Sequence, residues 1–289
     1  MSKQLKPIEL FLALGLAATL GACTSPANNA GGGGEATNET ASTPASSPVT
    51  STHGGGGGEG GEGGEGGEGG EGGEGGAGST GNSNVDYMAT LGLMKGHLMA
   101  AEELMAQKNY QQAEPHIGHP VEELYGTIEG ELAQRKVPQF KSTLNKLYSL
   151  VKSAPDKPET TTAFKASQQA IDQAIAAIPA SERQSPQFVL NVMNQMLKTA
   201  GEEYTAAIAN NKFAELVEYQ DSRGFVIYAE DLYQNIAQQM SKERPDNHKR
   251  ITASLEELKT AWPSVNPPAT PVKTPSEVNS LISTIELQS

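Results

Sequence analysis

Cysteine is nearly absent: Cys23 is the only one in 289 residues. Neither an internal disulfide nor a cysteine-ligated metal centre can therefore form. Bases are missing from residues 24–84, a stretch that holds eight acids and no lysine or arginine. The chain carries a formal net charge of −13, which attracts no nucleic acid and is repelled by anionic lipid headgroups. No glycine-rich phosphate loop sits on a strand–helix unit, and no Ser-His-Asp pattern has its own context. Enzymatic activity is thus left uncertain, and the sequence leans against it. Long hydrophobic runs are also lacking, since the one apolar run, Leu10 to Leu20, falls short of the roughly 20 residues that span a bilayer.

That run follows the basic residues Lys3 and Lys6 and ends in "LGAC", Leu20 to Cys23. A short basic segment followed by a brief apolar one is the pattern of a signal peptide, here residues 1–22. "LGAC" resembles the bacterial lipobox, in which the cysteine thiol receives a diacylglycerol and a signal peptidase cuts before it. The resemblance implies a lipoprotein anchored to the membrane through Cys23, and multiple acyl chains make such an anchor stable. Thr24 follows the cysteine in place of the aspartate that retains lipoproteins at the inner membrane in enteric bacteria. The outer membrane is favoured, with the domain facing the periplasm or the cell surface.

Residues 23–84 read as the lipidated cysteine and a disordered tether of Gly, Ser, Thr, Ala, Asn and Glu. Its centre repeats Gly-Gly-Glu, with glutamates at 59, 62, 65, 68, 71 and 74. Proline is absent from the repeat, which argues against a collagen-like triple helix. A glycine coil offers no preorganised oxygen cage for calcium. Dense glycine leaves the backbone free and like charges keep it open, so the tether has a mean span of roughly 45 Å and a stretched reach on the order of 200 Å.

The remainder, 85–289, holds 25 acids against 19 bases and reads as an all-α domain of about eight helices. The first, about 86–108, places Leu91, Met94, Leu98, Ala101 and Met105 on one stripe. A turn falls at Lys108-Asn109. Pro120, Pro138, Pro158, Pro186, Pro245 and Pro275 each precede a helical run, as suits a residue whose missing N–H costs nothing at the first helical position. Ser185 and Thr274 are expected N-caps. A faint internal repeat lays Tyr110 over Phe213 and Tyr125 over Tyr228, 103 residues apart. It divides the domain into halves at 86–178 and 186–288, two four-helix units packed together.

Four of the five histidines lie in this domain: His97, His116, His119 and His248. With the 108–109 turn as the tip of a helical hairpin, His97 lies about 18 Å below it and His119 and Glu123 about 15 and 21 Å down the other arm. The hairpin can therefore gather His97, His119 and Glu122 or Glu123, with Glu103 and His116 as a second layer. Histidines and carboxylates on facing helices are how bundles hold iron, manganese or zinc. The competing reading is a helix start, with His119 near the N-cap, Pro120 behind it and Glu122 opposing the helix dipole. The repeat places Ala200, Tyr219, Ser222 and Val226 at the matching positions, so the second half has no such cluster. Tyr219, Asp221 and Arg223 fall near one helical turn and suggest a buried polar network.

"GHPVEELY", Gly118 to Tyr125, is similar to the G-x-H-x-x-E helix motif of imelysin-like proteins, a group that includes periplasmic components associated with iron uptake. His119 and Glu122 fit its H-x-x-E part. Gly118 directly adjoins the histidine, proline follows it, and "RGFVIYAE" in the second half carries valine in place of the histidine. The resemblance implies an exported, all-helical protein of two bundle halves with histidine and glutamate as metal ligands. Together these features predict a lipid-anchored binding protein for iron or zinc. The alternative is a non-catalytic envelope lipoprotein that meets a protein partner and binds no metal.

Overall fold

A computed structural model describes residues 78–289. The signal peptide, Cys23 lipidation and nearly all of the tether lie outside the described residues. Residues 78–82 fold back onto the domain. The Thr80 amide and hydroxyl both donate to Asp86 Oδ1, at 2.8 and 2.7 Å. The Asn82 side chain caps the first helix by accepting from the Asn84 and Val85 amides.

That helix, α1, runs from Ser83 to Ala106 and is buried almost all round, from Val85 to Leu104. A helix apolar on every face belongs in the centre of a bundle. It ends where Lys108 takes a left-handed φ of 60°, and α2 (Tyr110–His119) returns antiparallel to it. A π-helical turn, Pro120–Leu124, carries α2 directly into α3 (Tyr125–Gln134). Next come α4 (Lys141–Ser153), α5 (Pro158–Ala176) and the single-turn α6 (Ala180–Arg183). The second half starts with α7 (Pro186–Ala206), and a two-residue hairpin, β1 (Ile208–Ala209) with β2 (Lys212–Phe213), leads to α8 (Leu216–Glu243). Asn210 and Asn211 both take left-handed φ at its tip, as a tight hairpin with the right twist requires. Finally α9 (Pro245–Lys259) leads to α10 (Pro275–Glu286), which starts with a reciprocal capping box between Thr274 and Glu277.

The described residues thus form eight helical rods and one single turn, an all-α architecture as the periodicity predicts. The rods succeed one another as a long helix, a longer one and two shorter ones, first as α1, α2–α3, α4 and α5, then as α7, α8, α9 and α10. Between the two groups α1 packs along α8, while α8 also packs against α7, α9 and α2. The crossing of α1 and α8 is close because it is glycine on glycine. A Cβ at Gly224 would stand 2.2 Å from the Gly96 carbonyl oxygen.

The helix start expected at Pro120 is not there. His119 has helical angles (φ −51°, ψ −44°), and the rod that begins at Tyr110 passes straight through. Val121, Leu124 and Tyr125 are core residues; burying them outweighs the hydrogen bond that Pro120 cannot donate, and the π turn absorbs its ring. Ser185 makes no side-chain cap bond, whereas Thr274 does.

Candidate metal centre

The α1–α8 crossing sets the geometry. Gly96 and Gly224 let the backbones touch, so His97, next to one glycine, meets Asp221, one turn before the other. His116 and His119 arrive from α2, three residues apart on one face. Asp221 Oδ1 lies 2.6 Å from His97 Nδ1 and 2.6 Å from His116 Nδ1. Asp221 Oδ2 lies 3.2 Å from His119 Nδ1. Three imidazoles thus turn the same nitrogen towards one carboxylate. The side chains of His97, His116 and Asp221 are wholly buried, and that of His119 is 13% exposed.

The protons on His116 follow from its neighbours. Gln220 Nε2 donates to Gln112 Oε1 (3.1 Å) and to the Val265 carbonyl (3.2 Å). That orientation leaves Gln220 Oε1 facing His116 Nε2 at 2.8 Å, so Nε2–H donates to it. A neutral His116 then has a lone pair on Nδ1, directed at a carboxylate oxygen 2.6 Å away. Two lone pairs at that distance repel, so a proton must lie between them in this geometry; a metal ion could take its place only with the two atoms drawn about 0.5 Å further apart. An outer hydrogen bond that fixes a ring's tautomer and frees its other nitrogen is the usual support of a histidine ligand.

Electrostatics point the same way. Burial pushes the Asp221 carboxyl up, but the neighbouring His116 and His97 imidazoles, with the hydrogen bond from His116, hold it well below the ordinary carboxylate range. For His119, burial pulls downward and the adjacent Asp221 carboxylate more than compensates, so its value is raised. A buried anion without a countercharge would cost several kcal/mol. One atom each from His97, His116 and Asp221 lies within 4.8 Å of the others, the group among the described residues that is able to hold a metal ion. Three imidazoles and a carboxylate suit zinc or divalent iron and manganese.

The residues marked out by sequence are distributed unevenly. His97 and His119 meet as the hairpin argument expects, their rings 5.2 Å apart and edge-on. His116, assigned to a second layer, stands among the innermost groups. Glu122 is exposed, with its Oε2 3.1 Å from where a Gly118 Cβ would be and the Tyr148 ring beside it. Glu123 acts on His119 through space and raises its basicity. Glu103 is tied to Arg223 by an ion pair at the edge of the α1–α8 seam. His248 is remote, stacked on Tyr233. Asp221 and Gln220 carry the centre together with the histidines, and sequence reasoning reads Asp221 only as part of a polar network. Its one local signal is an aspartate within 219–226, a stretch of α8 that is buried nearly all round.

Among the described residues no helix is long and apolar enough to cross a membrane. No curated protein and no solved structure matches the chain. Residues 179–289 match a family described as an iron permease-associated 4-helix bundle domain, a segment that covers α6 to α10 and supplies Asp221 and Gln220 but none of the three histidines.

Proposed function

We propose that this chain is a lipid-anchored envelope protein whose helical domain binds a metal ion, iron before zinc, without catalysing a reaction. The ligands are His97, His116, His119 and Asp221. The observation that carries the reading is the convergence of three imidazole nitrogens on one wholly buried carboxylate, with the outer nitrogen of His116 already committed to Gln220. The likeness of the second half to an iron permease-associated bundle ranks iron first. Cys23 would hold the chain to the outer membrane, and the tether would let the domain reach a protein partner in the envelope. Duplication of one four-helix unit accounts for the two halves, with the histidines acquired by the first and the aspartate by the second.

The second reading, an envelope interaction domain with no bound metal, draws on the length of the contacts. At 2.6 Å both bonds to Asp221 Oδ1 are also satisfied by protonated imidazoles. Metal analysis separates the two. The full-length chain in detergent, stripped with chelator and exposed to anaerobic Fe(II) or to Zn(II), is expected to retain about one equivalent after gel filtration. The double variant His97→Ala with Asp221→Asn is expected to retain less than a tenth as much. An unmodified chain that retains less than a tenth of an equivalent of either metal sinks the metal reading and leaves the second.

A further inference from the structure

The four groups of the centre are not equivalent. Three are sealed from solvent, and both bonds to Asp221 Oδ1 are closed at 2.6 Å. The other side is open in two senses. His119 is the one of the four whose side chain solvent reaches, although its Nδ1 is itself buried. Its Nδ1 and Asp221 Oδ2, although 3.2 Å apart, are not aligned, and neither has a hydrogen-bond partner. A buried carboxylate oxygen without a hydrogen bond is costly to leave so, and a cation would relieve that cost.

The backbone beside His119 is the weakest stretch of its rod. Pro120 has no N–H to give to the His116 carbonyl, and Pro115 lies within the preceding turn. In the π turn the Tyr125 amide bonds back to the Pro120 carbonyl, five residues away. Turns of this kind are frequent at functional sites, and His119 is the last residue before this one. The same turn carries Glu123, half-buried and four residues after His119, which sets the two side chains on one side of the rod. Glu122, one residue earlier, points elsewhere, over Gly118 and Tyr148.

Building on the metal reading, we infer that the ion is exchangeable cargo, entering and leaving past His119, with Glu123 as the carboxylate that first takes the hydrated cation. The cation exchanges a bound water for the Glu123 carboxylate, passes to His119 Nδ1 and Asp221 Oδ2, and then displaces the protons that hold His97 and His116 against Oδ1, which leave to solvent past His119. Release runs in reverse, His119 letting go first.

The test follows cobalt(II) uptake by the full-length chain in stopped flow, where the visible absorption reports imidazole ligation, and its release to excess EDTA. At low ionic strength Glu123→Gln is expected to slow uptake about tenfold, the effect of one charge about 5 Å from a dication in water, and the difference should shrink in high salt. Glu129→Gln, an exposed carboxylate further along the same rod, should load within twofold of the unmodified chain. His119→Ala is expected to speed release at least tenfold, with helix content by circular dichroism confirming that each variant folds. Equal uptake in the Glu123 and Glu129 variants, or unaltered release from His119→Ala, overturns the route. An unmodified chain that takes up no cobalt overturns the metal reading itself, and the route with it.

Discussion

His116 shows how much of the centre rests on a single uncharged side chain. Gln220 accepts from its Nε2 and is itself oriented by Gln112 and the Val265 carbonyl. Gln220→Ala removes the group that selects the tautomer and strands several buried polar atoms, costing about 1–3 kcal/mol of stability. Metal affinity should fall about 10–100-fold, the usual effect of losing an outer-sphere partner. Gln220→Glu keeps an acceptor at the same place and makes the imidazole more basic, so affinity measured by chelator competition should recover while stability need not. Loss of affinity in both variants alike would show that Gln220 only packs. None of this was legible from the histidines alone. The hairpin places His97 and His119 at one height because helical rise is a local property. Asp221 comes 102 residues after His119, and its place opposite them depends on how two distant helices cross.

At the scale of the element, helix identity and most boundaries follow from local chemistry. Pro158, Pro186, Pro245 and Pro275 all occupy first-turn positions, and the turn at 108–109 lies where the apolar stripe of α1 runs out. Pro120 misleads because proline permits a start without enforcing one, and the buried side chains on either side of it keep the rod continuous. The crossing of α1 with α8 is the less visible determinant. A methyl group at Gly224 would collide with the Gly96 carbonyl, a backbone atom that moves only if the whole helix moves. Gly224→Ala is therefore expected to destabilise the domain by about 1–3 kcal/mol, as overpacking does, and to draw His97 away from Asp221. Gly126 offers a control. A Cβ there meets nothing within 4 Å, so Gly126→Ala in α3 should raise stability by about 0.5–1 kcal/mol through helix propensity. Urea denaturation checks both signs, and metal analysis of the Gly224 variant checks that stoichiometry is lost along with the crossing.

The described residues form two four-helix groups with the histidine–aspartate cluster where they meet. His97, His116 and His119 belong to the group before α6, and Asp221 to the one that resembles the iron permease-associated bundle. Neither group has the full set of proposed ligands, so an ion at the centre would be bonded to both, and binding it and keeping the groups together would be one equilibrium. A ligand that binds only the folded state stabilises it by about 2.7 kcal/mol at a hundred times its dissociation constant. For a domain of this size each kcal/mol moves the midpoint by about 2–4 °C, so saturating Fe(II) or Zn(II) should raise Tm by about 5–10 °C. Asp221→Asn keeps the size of the side chain but removes the only bond from the second group, and should abolish the metal-dependent rise. His119→Ala leaves three ligands still spanning the groups, and a reduced rise should persist. A second, independent transition on heating the metal-free chain, merging into one when metal is added, would locate the coupling at this junction. A single transition with the same midpoint with and without metal would show that the centre contributes nothing to holding the two groups together.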